Sequence, residues 1–353
     1  MRSKEYWRRR ALVLEEESYI RGARLSAKMF EEYQRAARAI RKEVNDFYNR
    51  YASKHGLTYE EAVRLLNKRE FQEWKASLAD YVNRIAQEPD PRIKALLTAQ
   101  LDALSYSSSI TRLEALYAQI DMILNDLFTK GVAQMKAEFG ENFTEAYYKK
   151  VYHLQARAGF INEFAKINAG MIESVVSYPW SGAMFSDRLW QNKQALLFHL
   201  REVTTQGLIQ GKGIVAMSKE ISARMGQSYK NAERLIRTET NHIHNEAEKA
   251  AYKAAGVKRY EFVATLDSRT SEICASLDGK NFALDEAKPG TNFPPMHPNC
   301  RSTTIEYDPH DEMDWYNSGK KMPKNMTYEE WAEVQGIKTK KKKSKNKAVT
   351  VTE

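Results

Sequence analysis

The chain has 353 residues, 42% of them hydrophobic and 29% charged, which is apolar enough to bury a core in two or three domains and excludes a wholly disordered chain. No run of about eighteen apolar residues occurs, so neither a membrane-spanning helix nor a membrane anchor is expected. The net charge of +9 is unevenly placed: the last sixteen residues, from Lys338 to Glu353, carry seven lysines and one glutamate, a net +6, which leaves +3 for the rest and excludes a broadly basic platform.

In chain order, the N-terminus is basic from Met1 to Arg10, and the apolar stretch Ala11–Leu14 ends at Glu15, Glu16 and Glu17, too short for a signal peptide. Leu25, Met29, Tyr33, Ala36, Ile40, Val44, Phe47 and Tyr51 recur every three or four residues and predict one stripe of a helix. Gly56 interrupts it. Thr58 with Glu61 then reads as a capping box opening a second helix through Leu65 and Leu66. Prolines 89 and 91 break the helical run, because proline lacks the amide donor and restricts the residue before it. Helix resumes from Ile93 through Leu104 and continues from Leu113 to Phe128, with a kink expected at Ser105–Ser109.

Further helices are expected from about Glu145 to Ile172 and from about Asp187 to Gln210, joined by a Tyr178-Pro179-Trp180-Ser181-Gly182 loop. Gly211 and Gly213 should end the second, followed by a short helix from Ile214 to Met225. Ser228 is then expected to cap a helix that Gly256 stops. Beyond Gly256 the period changes. Tyr260, Phe262 and Ala264 alternate with polar residues, Leu277-Asp278-Gly279-Lys280 is a turn, and Ser302–Tyr307 is β-like. Thr327 with Glu330 predicts a last short helix through Trp331, and the lysine run behind it has the composition of a disordered tail.

The expected fold is mainly α with a C-terminal α+β domain: a long helical N-terminal arm, a small antiparallel sheet packed on a helix, and a disordered basic tail. In residue numbers these are a helical arm or bundle over 1–186, a helical connector over 187–225, an α+β module over 226–308, a short helical extension over 309–337 and the tail over 338–353.

Reactive side chains are densest in the module. Cys274, His297 and Cys300 offer two thiolates and an imidazole, the ligand set a tetrahedral zinc prefers. His297-Pro298-Asn299-Cys300 resembles half of a zinc knuckle, but Cys274 has no neighbouring cysteine. A fourth ligand would come from His242, Asp267 or water. Two readings stay open: a zinc site, or two small buried thiols, joined as a disulfide or not, beside a loop histidine. Two cysteines in 353 residues do not make a secreted disulfide scaffold. Glu239 and His242 share a helix face at Glu-x-x-His spacing, which without a second copy reads as a polar helix face. No phosphate-cradling glycine loop, Gly-x-Ser-x-Gly or His-Glu-x-x-His occurs.

Arg237-Thr238-Glu239, then Asp267-Ser268-Arg269-Thr270, then Cys274, then Pro294-Pro295-Met296-His297-Pro298-Asn299-Cys300-Arg301, resemble in order the pattern of the phage head morphogenesis family, the Mu F-like minor head proteins. The resemblance covers roughly residues 190–308. It singles out Arg237, Glu239, Asp267, Arg269, Thr270, Cys274, His297, Cys300 and Arg301. It implies a minor capsid protein of a tailed bacteriophage, docked on portal, capsid or scaffold protein, made in the host cytoplasm and carried in the virion head. Contact with packaged DNA, help in packaging and departure with the genome at ejection are further expectations.

Lys338, Lys340, Lys341, Lys342, Lys343, Lys345 and Lys347 would neutralise phosphates whatever the base sequence, and no aromatic residue stands among them to stack on bases. The same lysines would also serve as a solvated tail. The resemblance implies no catalysis. The competing expectation is an enzyme, a nuclease or an ADP-ribosyltransferase-like protein, built on Arg237 and Glu239 in a concave pocket.

Overall fold

The computed structural model describes residues 3–49, 91, 94, 112–210, 212–307 and 319–339. It is mainly helical, with small antiparallel sheets. Tyr51, the Thr58–Glu61 capping box, the helix through Leu65 and Leu66, the run from Leu96 to Leu104, the kink at 105–109 and the tail from residue 340 onward lie outside the described residues.

The first helix, α1 (Lys4–Phe47), is capped by Ser3, whose hydroxyl accepts the Tyr6 amide proton. The stripe read from Leu25 to Phe47 is buried and extends back through Ser18, Leu14 and Ala11 to Trp7. Burying each large apolar side chain of this stripe contributes roughly 1.5–3 kcal/mol, so packing rather than propensity holds so long a helix. The next described helix, α2 (Arg112–Ala158), packs against α1. It ends at Gly159, whose φ of +80° stops it short of the expected Ile172. Strand β1 (Phe160–Ile161) and helix α3 (Ala169–Val176), capped by Asn168, fill the interval instead.

Helix α4 (Phe185–Ile209) leads to α5 (Ile214–Ala255), which runs unbroken where a stop near Met225 was expected. Ser228 is no cap. It is a buried mid-helix residue whose hydroxyl meets the Tyr33 hydroxyl of α1 at 3.2 Å, the short side chain leaving room for that ring. Gly256 closes α5 in the left-handed region at φ +74°, as its position predicts. α1, α2, α4 and α5 pack on one another and share one apolar core.

Strand β2 (Arg259–Val263), short helix α6 (Glu272–Leu277), β3 (Asn281–Ala283) and β4 (Thr303–Glu306) follow. The sheet order is β3-β2-β4, all antiparallel, with Tyr260 opposite Phe282 on one side and Glu306 on the other. β4 lies on α1 and α5, which places the sheet against the bundle. Strand β5 (Lys320–Lys321) pairs with β1, and α7 (Tyr328–Val334) opens on the predicted Thr327–Glu330 capping box.

Charged and polar groups are buried at the joint between sheet and bundle. Lys150 of α2 is buried between Glu248 of α5 and Glu306 of β4, 3.4 Å from each. Arg157 reaches Glu306 at 2.8 Å, and the Thr303 and Thr304 hydroxyls donate to Glu248. Satisfying these charges on three elements at once fixes the sheet's register on the helices, because a slip by one residue would leave them buried and unpaired.

Candidate functional site

The motif residues singled out by sequence are carried by α5, the 264–271 loop, α6 and the 294–302 loop. The last of these loops turns at Asn299, which takes φ +60°, a conformation asparagine tolerates. The Asn299 amide donates to the Thr238 hydroxyl of α5 at 3.1 Å, fastening the loop to the helix that carries Arg237 and Glu239.

Asp267 and Arg301 form a two-pronged ion pair, at 2.7 and 2.8 Å. Hydrogen bonds from Arg301 and from the Arg269 amide hold the Asp267 carboxyl well below the usual carboxylate range. Thr270 is local glue: its hydroxyl accepts the Asp267 amide proton and donates to the Thr265 carbonyl, while the Thr265 hydroxyl donates to the Arg301 carbonyl. The Arg269 guanidinium is exposed and only 3.5 Å from Asp267.

Cys274, on α6, and His297 and Cys300, on the loop, come together. Cys274 Sγ stands 3.3 Å from His297 Nε2 and 3.8 Å from Cys300 Sγ, and the three ligand atoms lie within 4.8 Å of one another. Both cysteines are buried and unbridged. The hydrogen bond from the Cys300 thiol is the main reason the Cys274 thiol is pulled down to about 5, and that same bond and burial push Cys300 up. Two sulfurs and one nitrogen could hold a soft divalent ion here.

His242 does not join them. Its ring stacks on Trp180 of the 178–182 loop, with centroids 4.5 Å apart, and among the described residues neither ring nitrogen has a hydrogen-bond partner. Burial lowers its pKa to about 3, so it is neutral. Asp267, the other candidate fourth ligand, is engaged by Arg301. Glu239 accepts the Trp180 indole N–H at 2.9 Å, and burial pushes it up to about 7. The Glu-x-x-His pair is therefore a Trp180-capped packing unit.

Arg237 and Glu239 also part company. Arg237 bonds to Glu233 at 2.9 Å and to the Tyr19 hydroxyl of α1. A cavity of about 1870 Å³ lies beside α1, α2 and α7, and none of Arg237, Glu239, Asp267, Cys274, His297 or Cys300 lines it. Of the candidate DNA-binding lysines only Lys338 is among the described residues, where it is exposed.

Sequence reading missed Tyr19 and Glu15, which tie the motifs to α1. Asn241 of α5 donates to Glu15 at 3.3 Å and to the Ser302 carbonyl at 3.0 Å, and Asn245 reaches the same carbonyl. The signal for Asn241 and Asn245 was their i,i+4 spacing beside the Arg237-Thr238-Glu239 motif; Glu15 and Tyr19 gave none, because their partners lie more than two hundred residues away.

Three comparisons bear on kinship. Over 293 residues the chain is 25% identical to the NAD(+)--arginine ADP-ribosyltransferase EFV of Enterococcus faecalis, an alignment covering 77% of this chain and 60% of that protein. The chain thus spans less than two thirds of the length of that relative. No solved structure matches. The family model described as Phage Mu protein F like protein matches residues 199–305, which run from α4 through α5 to β4 and contain every motif residue from Arg237 to Arg301. The likeness to Phage Mu protein F like proteins is thus confined to that segment, under a third of the chain, and it is the segment in which the motifs lie.

Proposed function

We propose that this chain is a minor head protein of a tailed bacteriophage, a structural component that docks on the portal or procapsid during head assembly and travels in the virion. The observation that carries the reading is the Phage Mu protein F-like match over residues 199–305, laid on a unit whose motif side chains bind one another. Asp267 holds Arg301, Thr238 holds the 294–302 loop, and Arg237 holds α1 through Tyr19. Groups consumed in tying elements together suit a rigid docking module better than a catalytic pocket, which needs convergent unpaired groups around a substrate.

The enzyme reading draws on the printed name of the Enterococcus faecalis relative, of which this chain spans 60%. Arg237 and Glu239 face different partners, and neither lines the large cavity, so geometry gives that reading no added support. The lysine-rich tail would contact packaged DNA through its phosphates, independently of base sequence.

The test is co-expression with the portal, scaffold and major capsid proteins of the phage that encodes the chain, followed by affinity capture. Portal or procapsid proteins should co-purify in stoichiometric amounts. Clean isolation of the chain alone would overturn the docking assignment.

A further inference from the structure

We propose that Cys274, His297 and Cys300 are the protein ligands of one zinc ion, which pins α6 to the 294–302 loop and leaves a coordination position for solvent. Distances carry the argument. A tetrahedral zinc with bonds of about 2.3 Å to sulfur and about 2.0 Å to nitrogen sets two sulfurs about 3.8 Å apart and a sulfur and a nitrogen about 3.5 Å apart. The observed separations are 3.8 Å for Cys274 Sγ to Cys300 Sγ and 3.3 Å for Cys274 Sγ to His297 Nε2, and the third pair, His297 with Cys300, lies within 4.8 Å. A disulfide would instead need its sulfurs about 2.05 Å apart.

The histidine is also prepared. His297 Nδ1 lies 2.9 Å from the Pro298 carbonyl oxygen, which can only accept, so Nδ1 carries the proton and Nε2 presents its lone pair to the sulfurs. Metal-bound histidines are oriented by this same outer hydrogen bond. The backbone prearranges the rest: the Cys300 amide donates to the His297 carbonyl, so the two loop ligands share one turn, and the Ser271 hydroxyl accepts the Cys274 amide where α6 begins.

Among the described residues no fourth Cys, His, Asp or Glu joins the three. Cys274 and Cys300 are buried while His297 is half-exposed, so the remaining position opens on the histidine side, within reach of water or a small exogenous ligand. The sheet gains from the arrangement, since Cys274 and Cys300 pack with Phe262 and Ala264 in a small apolar cluster that a bound ion would lock.

The experiment uses the full chain purified without chelator under thiol-protecting conditions. Zinc is measured by elemental mass spectrometry, and the protein is then exchanged with cobalt(II) and its absorption recorded. We expect about one zinc per chain, a near-ultraviolet thiolate-to-cobalt charge-transfer band, and a change in the visible cobalt bands when azide or a small thiol is added. Cys274→Ser, Cys300→Ser and His297→Ala should each lose most of the zinc, with circular dichroism reporting whether helix is kept. The cobalt spectrum of the unmodified chain tests thiolate ligation even if a variant fails to fold. Folded protein with less than about a tenth of an equivalent of zinc and no charge-transfer band would overturn the assignment. So would a Cys274–Cys300 disulfide in freshly trapped protein, or metal retained by all three variants. Cobalt bands indifferent to every added ligand would overturn the open position. None of these outcomes depends on portal docking, so the two proposals fail separately.

Discussion

Asp267 and Arg301, thirty-four residues apart in sequence, clasp each other through both carboxylate oxygens and two guanidinium nitrogens, joining the loop after β2 to the loop before β4. Arg301 is the largest cause of the depressed Asp267 carboxyl, with the Arg269 amide second. A depressed acid contributes stability above its unfolded value and loses it as pH falls through the folded value, so this clasp acts at neutral pH and opens only in acid. In Arg301→Ala the Asp267 carboxyl should move up toward the ordinary value of about 3.9. Carboxyl NMR titration reads the shift directly, and an unmoved Asp267 would refute the assigned cause.

Glu15 predicts the opposite pH sign. It is buried, and desolvation pushes it up to about 8 despite the hydrogen bond from Asn241. An acid raised on folding binds a proton that the unfolded chain has released, so its contribution is complete below about pH 4.5 and is lost as pH climbs toward 8. Glu15→Gln keeps an oxygen for Asn241 and removes the charge. The variant should gain on the unmodified protein as pH rises from 5 to 8, by ~1–3 kcal/mol at the alkaline end. Denaturant unfolding at several pH values checks it, and a constant difference between the two proteins would count against a proton-linked origin.

Gly22 is where α1 passes tightly against Thr240 of α5. A Cβ built there would meet Thr240 Oγ1 at 2.9 Å and two further Thr240 atoms at 3.2 Å. Alanine is the better helix former by about 1 kcal/mol, but forcing atoms into a packed crossing costs ~1–3 kcal/mol, and here the clash should win. Gly22→Ala should lower the melting temperature, and adding Thr240→Ala should restore part of the loss. If the single variant were stabilised, the two helices would not cross so closely.

The lysine tail predicts a salt effect. Removing residues 338–353 deletes seven lysines, each able to displace a counterion from DNA. The slope of log affinity against log salt should become shallower by up to about six, at roughly 0.9 per phosphate neutralised. Fluorescence anisotropy with duplex DNA at several salt concentrations measures it. An unchanged slope would place DNA contact elsewhere or nowhere.

Much of this fold could be read from spacing. The stripe from Leu25 to Phe47, the Gly256 stop and the Thr327–Glu330 box each express a local rule that the structure obeys, and a strand does run through Tyr260 and Phe262, though Glu261 and Val263 between and after them are buried too instead of facing solvent. The failures share a cause. Ser228 looked like a cap because a serine that satisfies an amide and one that makes room for Tyr33 are identical in sequence. The beginning of α1 was hidden because Glu15, the first of three consecutive glutamates, faces inward, and only its distant partner Asn241 explains why. In the candidate site, Cys274, His297 and Cys300 were legible from chemistry and spacing. The separate place of His242 was not, because Trp180, which covers it, arrives from a different loop.

The most direct test of the central claim is the protein content of procapsids assembled in cells from the encoding phage's portal, scaffold and major capsid proteins together with this chain. Quantitative mass spectrometry of gradient-purified particles should find the chain in a few copies per shell, lost when the portal is omitted. Particles that assemble normally with portal and contain none of the chain would contradict its assignment to the head.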